Sequence, residues 1–311
     1  MVSVSGEKIL ITGVAGQIAF PMARLLAADN EVWGLARFSD PTARQRVADI
    51  GVRPVVCDLG AGDLSAVPDD FTLVIHLAAF IGPGMDYDRA IRDNAEATGL
   101  LLHHCRSARA ALVMSTHSVY KPQDDPMYVF HETAPLGDCN NTLSPPYSVS
   151  KIGAESVARF CARAFDLPVT IARMNASYGP NGGLPAFHAD TVAAGNVVTT
   201  RWEPCMYSPI YEDDINAQVG ALLDAASVPA TIVNWAGDEP VSAQEWTQYS
   251  GQLMGVEAEA KVTPIPNTLR GSIADNERRL AITGPCTVGW REGMRRTIAA
   301  RHPNRINAAP R

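Results

Sequence analysis

The chain has no excess of positive charge. Its 26 lysines and arginines stand against 33 aspartates and glutamates, a formal net charge of −7. That balance lacks the basic footprint of a nucleic-acid binder and offers nothing to an anionic membrane surface. No apolar run is long enough to cross a bilayer. The opening MVSVSGEK lacks the basic-then-apolar order of a secretory leader. The six cysteines, at 57, 105, 139, 161, 205 and 286, form no CxxC pair and show no metal-ligand spacing. No metal site is therefore expected, and reduced, structural thiols point to the cytoplasm. Internal repeats and low-complexity blocks are missing as well. These absences leave a globular chain of 311 residues, enough for one large domain or one and a half.

Up to about residue 175, apolar runs of β character alternate with stretches of helical period. The strands are expected at 8–12, 31–36, 53–57, 72–77, 111–115 and 168–173, and the helices at 17–28, 42–49, 86–107 and 146–164. Such alternation predicts an α/β fold with a doubly wound parallel sheet covered on both faces. Beyond Tyr178 the pattern loosens into a GPNGG loop at 179–183 and an irregular aromatic and proline-rich segment at 202–211. Short helical runs near 212–225, 242–253 and 291–300 alternate with short β-like pieces.

The first expected strand, KILIT, runs directly into GVAGQIA at 13–19 and then into an amphipathic run. Strand, glycine-rich turn and helix together present backbone N–H groups and a helix N-terminus to a pyrophosphate. Gly13 would allow the tight turn, Gly16 the close approach of phosphate, and Ala19 the packing of helix on strand. The second strand, EVWGLA, ends at Ala36 and is followed by Arg37. An acid at that strand end would bind an adenosine 2′-hydroxyl and repel a 2′-phosphate. Its replacement by a cation favours NADP over NAD.

The densest chemistry lies between Ser115 and Lys151. STHSVY occupies 115–120 and YSVSK occupies 147–151, after an SPP that reads as cap and first turn of a helix. Tyr147 and Lys151, four apart, share one helix face. A free phenol titrates near 10, so roughly one in a thousand is ionised at neutral pH. An adjacent ammonium is expected to lower that pKa. With the Thr116 hydroxyl beside them, the three form a proton-transfer device for an alcohol or ketone.

In this order, the motifs resemble the extended short-chain dehydrogenase/reductases, often called NAD-dependent epimerase/dehydratases. The landmarks are TGVAGQIA at 12–19, CDL at 57–59, HLAA at 76–79, Asn94 and Thr98, STHSVY, YSVSK, RMNASYGP at 173–180, YEDDI at 211–215 and GWREGMRRTI at 289–298. The resemblance, which runs over about residues 8 to 300, implies a Rossmann-type domain over 1–175. A smaller C-terminal α/β substrate lobe would cover most of 176–300, with some segments returning to the first domain, and 301–311 would be a polar tail. It also implies Thr116, Tyr147 and Lys151 as the catalytic set, with Lys151 bonding the nicotinamide ribose as well. Gly13, Gly16, Gln17 and Ile18 would meet the pyrophosphate, Arg37 the ribose 2′-position, and Asp58 and Leu59 the adenine. Leu77, Ala78, Ala79, Asn94 and Ser115 would complete the cofactor contacts. His117, Asn175, Arg201 and Tyr207 would face substrate. His76, inside an apolar strand, reads as a core histidine.

Two departures stand out. Relatives that dehydrate nucleotide sugars carry acids directly after the catalytic Thr, where this chain has His117 and Ser118. Nucleotide-sugar enzymes also place a diphosphate-clamping Arg where Tyr207 stands, with Arg201 the nearest substitute. The expected function is thus NAD(P)-dependent hydride transfer at the carbonyl or secondary alcohol of a small molecule. The alternative is a nucleotide-sugar 4-epimerase or related isomerase using the same residues. A protein that keeps the fold for cofactor sensing alone is a third reading, opposed by the intact Tyr147, Lys151 and Thr116. A homodimer formed through helices 86–107 and 146–164 is a further expectation.

Overall fold

The computed structural model describes residues 4–137, 139 and 144–306. Two compact units share the chain. The first is drawn from Met1–Val119, Asn140–Arg173 and Asn216–Val233, the second from Tyr120–Cys139, Met174–Ile215 and Asn234–Arg311.

The first unit is built on β1 (Lys8–Thr12), β2 (Glu31–Ala36), β3 (Arg53–Val56), β4 (Leu73–His76), β5 (Ala110–Thr116), β6 (Val169–Met174) and β7 (Thr231–Trp235). They form one sheet in the order β7-β6-β5-β4-β1-β2-β3. Pairing is parallel from β3 through β5. The order reverses between β1 and β4, and such a switch point opens a crevice beyond the strands' carboxyl ends. Ile9, Leu10, Ile11, Val74, Ile75 and Leu112 have no exposed surface, as continuous apolar strands covered on both faces require.

The helices α1 (Ala19–Leu26) and α2 (Pro41–Asp49) follow β1 and β2. Asp40 caps α2 by accepting from the Thr42 N–H at 2.9 Å, with proline in the first turn. The single helix expected over 86–107 is interrupted. It runs as α3 (Tyr87–Ala90), a π-helical turn (Ile91–Glu96) and α4 (Ala97–His104). The 19-residue α5 (Tyr147–Phe165) packs on that turn and on α4. β7 lies among the short β-like pieces expected between the later helices, without a range of its own.

The second unit holds helices Leu184–Ala193, Ala243–Met254 and Trp290–Arg301 with several two- to four-residue strands. Tyr178, Trp246, Trp290 and Met294 centre its core. Of the expected polar tail, Arg301 and His302 both bond Asp190, while 307–311 lie outside the described residues. Among the described residues, no helix is long and apolar enough to cross a membrane.

Candidate active site

The turn after β1 has the backbone that its glycines allow. Gly13 sits at φ +69° and its N–H bonds the Leu35 carbonyl at 2.7 Å. A Cβ on Gly16 would stand 2.9 Å from the Gly13 oxygen. Gln17 and Ile18 lead into α1, whose N-terminus carries no side-chain cap and no acid in its first turn. The dipole at a helix N-terminus without an acid beside it suits an anion. Beside the turn, a pocket is lined by Gly13, Ala36, Arg37, Asp58, Leu59 and Ala78, among others. The Asp58 side chain accepts from the Gly60 N–H at 3.1 Å and so shapes the pocket's edge. Arg37 forms no ion pair among the described residues. This cradle of glycines, small residues and one unpaired cation fits a dinucleotide.

A chain of buried hydrogen bonds runs beneath it. Thr12 Oγ1 accepts from the N–H groups of Leu77 and Ala78, at 3.1 and 3.0 Å. Its own proton then goes to His76 Nδ1 at 2.7 Å. His76 Nε2 carries the ring proton and donates to Thr98 Oγ1 at 2.9 Å, which donates to the Asn94 carbonyl at 2.6 Å. Burial holds the imidazole down at about 3, helped by the Lys151 charge, so it stays neutral. Asn94 itself accepts from the Phe80 N–H at 2.6 Å and donates to the Phe80 carbonyl and to Ser150 Oγ. Its side chain thus joins the loop after β4 to α5.

Tyr147 opens α5, its N–H bonded to the Ser144 carbonyl at 2.9 Å. Lys151 follows one turn on, only 3% exposed, and donates from Nζ to the Met114 carbonyl at 2.7 Å. Thr116 ends β5 and shares a 2.8 Å hydrogen bond with Ser118 Oγ. The phenol does not become acidic as the sequence suggested. Burial pushes Tyr147 up to about 12, with the hydrogen bond to Thr116 pulling the other way. Lys151 is brought down to about 8 by burial, opposed by the Glu155 charge. Desolvation of both groups outweighs their spacing on the helix.

Ser115 donates to Glu155 Oε1 at 2.5 Å. His117, directly after Thr116, is 3% exposed. The other substrate candidates belong to the second unit. Asn175 accepts from the Ala176 and Ser208 N–H groups and donates to the Ser272 carbonyl, so it ties three segments together. Arg201 Nη2 donates to the Tyr207 hydroxyl at 2.9 Å and meets no carboxylate among the described residues. Burial keeps that phenol protonated. Sequence reasoning missed Glu155, although it lies on the same helix face as Tyr147 and Lys151.

Residues 9–198 match the model of the NAD dependent epimerase/dehydratase family. A trifunctional UDP-glucose 4,6-dehydratase/UDP-4-keto-6-deoxy-D-glucose 3,5-epimerase/UDP-4-keto-L-rhamnose-reductase of Arabidopsis thaliana is 29% identical over 198 residues, 58% of this chain and 29% of that protein. The chain therefore spans under a third of the length of the first curated relatives it matches. A dTDP-glucose 4,6-dehydratase of Mycobacterium tuberculosis is 26% identical over 251 residues, 72% of this chain and 71% of the relative. Among solved structures, the UDP-glucuronic acid 4-epimerase from Bacillus cereus, in complex with UDP-glucuronic acid and NAD, superposes with a TM-score of 0.81 at 21% identity. That alignment covers 95% of this chain and 99% of the other.

Proposed function

Because the chain belongs to the NAD-dependent epimerase/dehydratase family, we propose that it is an NADP-dependent oxidoreductase acting on the carbonyl or secondary alcohol of a small molecule. The observation that carries this reading is the grouping of Tyr147, Lys151 and Thr116 at the carboxyl end of β5 and the start of α5. When bound, the nicotinamide would supply or accept the hydride. Gly13, Gly16, Gln17 and Ile18 would hold the pyrophosphate, Asp58 and Leu59 the adenine end, and Arg37 the 2′-phosphate. Leu77, Ala78 and Ala79 would line the floor, with Asn94 and Ser115 supporting from beneath.

At neutral pH Tyr147 keeps its proton, since its pKa is pushed up to about 12. It is thus loaded to donate to a carbonyl oxygen in the direction of reduction. Thr116 would hold the same oxygen, and the Lys151 charge would stabilise the phenolate as the proton leaves. His117 would border the substrate. In the second unit, Asn175, Arg201 and Tyr207 are the proposed substrate residues, Arg201 being suited to an anionic group. The cytoplasm is the proposed compartment, on the cysteine spacing. A homodimer through α4 and α5 is supported by Leu100, Val149 and Phe160, exposed at 45%, 44% and 65%.

The test is NADPH oxidation by the purified protein with a panel of ketones and aldehydes. Tyr147→Phe should abolish turnover and leave NADPH binding within about twofold, because only one hydroxyl is removed. Co-purified NAD+ with no turnover of added carbonyls would favour the second reading, a nucleotide-sugar 4-epimerase. The names of the relatives support that alternative. Thermal shifts with UDP-sugars against simple ketones separate the two.

A further inference from the structure

We propose that Glu155 is a positioning residue for the Tyr147–Lys151 pair, a carboxylate locked by Arg173 and Ser115 that keeps Lys151 charged; this rests on the role given to Lys151 above. The helix α5 places Tyr147, Lys151 and Glu155 at successive intervals of four, so all three share one face. The Glu155 and Arg173 side chains are 4% and 2% exposed. Arg173, on β6, donates from Nε to Oε1 at 2.9 Å and from Nη2 to Oε2 at 2.7 Å. The Ser115 hydroxyl, on β5, adds a third bond at 2.5 Å. Three donors from two strands leave the carboxylate no freedom to turn.

Lys151 needs that fixed charge. Its ammonium is buried against the neutral Met114 carbonyl, an environment that favours losing the proton. Among the described residues, the titratable groups facing it are Tyr147 and Glu155 from α5 and the neutral His76 from β4, with Arg173 of β6 behind Glu155. Glu155 is the only anion among them. It works against burial, which brings Lys151 down to about 8. Arg173 draws on the same carboxylate and so sets how much of its field reaches Lys151. The two partners should therefore act on Lys151 with opposite sign.

The chain has four lysines, Lys8, Lys121, Lys151 and Lys261, so carbon-13 labelling at the lysine ε-carbon gives four titrating NMR signals. Lys151→Met identifies the one of interest in the full-length protein. Glu155→Gln should lower the Lys151 midpoint by about one pH unit, the scale for loss of an adjacent opposite charge. Arg173→Met should raise it. The double variant removes a buried pair together, a change that proteins tolerate far better than loss of one partner. It should fold and titrate below the wild type but above Glu155→Gln. An unchanged Lys151 midpoint in the folded double variant, or shifts of the same sign in both single variants, overturns the proposal. The titration needs no turnover, so these shifts support it whether or not NADPH is oxidised. A failure to oxidise NADPH counts against the oxidoreductase reading alone.

Discussion

Gly13 and Ala78 meet backbone to backbone: a Cβ on Gly13 would stand 2.9 Å from the Ala78 α-carbon. The loops after β1 and β4 are thereby pressed together at the switch point of the sheet. Neither side has a flexible side chain that can yield, and Gly13 also sits at φ +69°. Gly13→Ala should cost at least about 1–2 kcal/mol from the left-handed backbone alone. It should also weaken dinucleotide binding, since the turn that presents the N–H groups must shift. Thermal unfolding and NADPH fluorescence titration check both. Full affinity in a destabilised variant would place the cofactor away from this turn.

Arg37 lines the pocket beside Ala36 and meets no carboxylate among the described residues. Its removal should fall on a 2′-phosphate and spare a 2′-hydroxyl. Arg37→Ala is expected to weaken NADPH binding about tenfold or more, the scale of one charged hydrogen bond, and to change NADH binding little. Adding Ala36→Asp should then turn the preference toward NADH. Equal affinity of the wild type for both dinucleotides would remove the case for NADP.

The first six strands were legible because each is a short apolar run between turn residues, and the observed ends fall within one residue of those expected. β7 was given no range because TIVNW is short and its Asn234 interrupts the apolar run. The π turn at Ile91–Glu96 was invisible for a different reason: one extra residue in a turn leaves no mark on a helical period that carries only a few apolar positions. At the site, spacing placed Tyr147 over Lys151 correctly. The direction of the Tyr147 shift was missed, because desolvation depends on what surrounds a group in space. The buried Glu155–Arg173 pair was hidden likewise, since charged residues read as surface until their partners are known.

Arg201 bonds a phenol that burial keeps neutral, and no carboxylate meets its guanidinium among the described residues. A cation so placed should recognise an oxyanion on the substrate. Arg201→Gln is expected to raise KM for carboxylated or phosphorylated carbonyls about tenfold or more, as loss of a charged contact does, and to leave neutral carbonyls nearly unchanged. Tyr207→Phe should show a weaker form of the same pattern, because it frees the guanidinium without removing it. Equal losses on charged and neutral substrates would make Arg201 a structural residue.

The bond chain through His76 makes the first unit sensitive to acid. Thr12 Oγ1 already accepts two N–H groups, so a proton on His76 Nδ1 would find no acceptor. The folded-state pKa is held at about 3, below the ordinary 6.5. The unfolded chain therefore binds a proton that the folded chain refuses. The stability of the neutral state is fully present above pH 6.5 and is lost as the pH falls toward 3. At pH 5 the loss from this one group is about 2 kcal/mol. His188, held at about 4 by burial, adds to it with the same sign. Denaturant unfolding at pH 7.5 and 5.0 measures the slope. His76→Gln, whose amide can accept from Thr12 and donate to Thr98, should flatten that slope, and a variant as acid-sensitive as the wild type would show that His76 is not the group responsible.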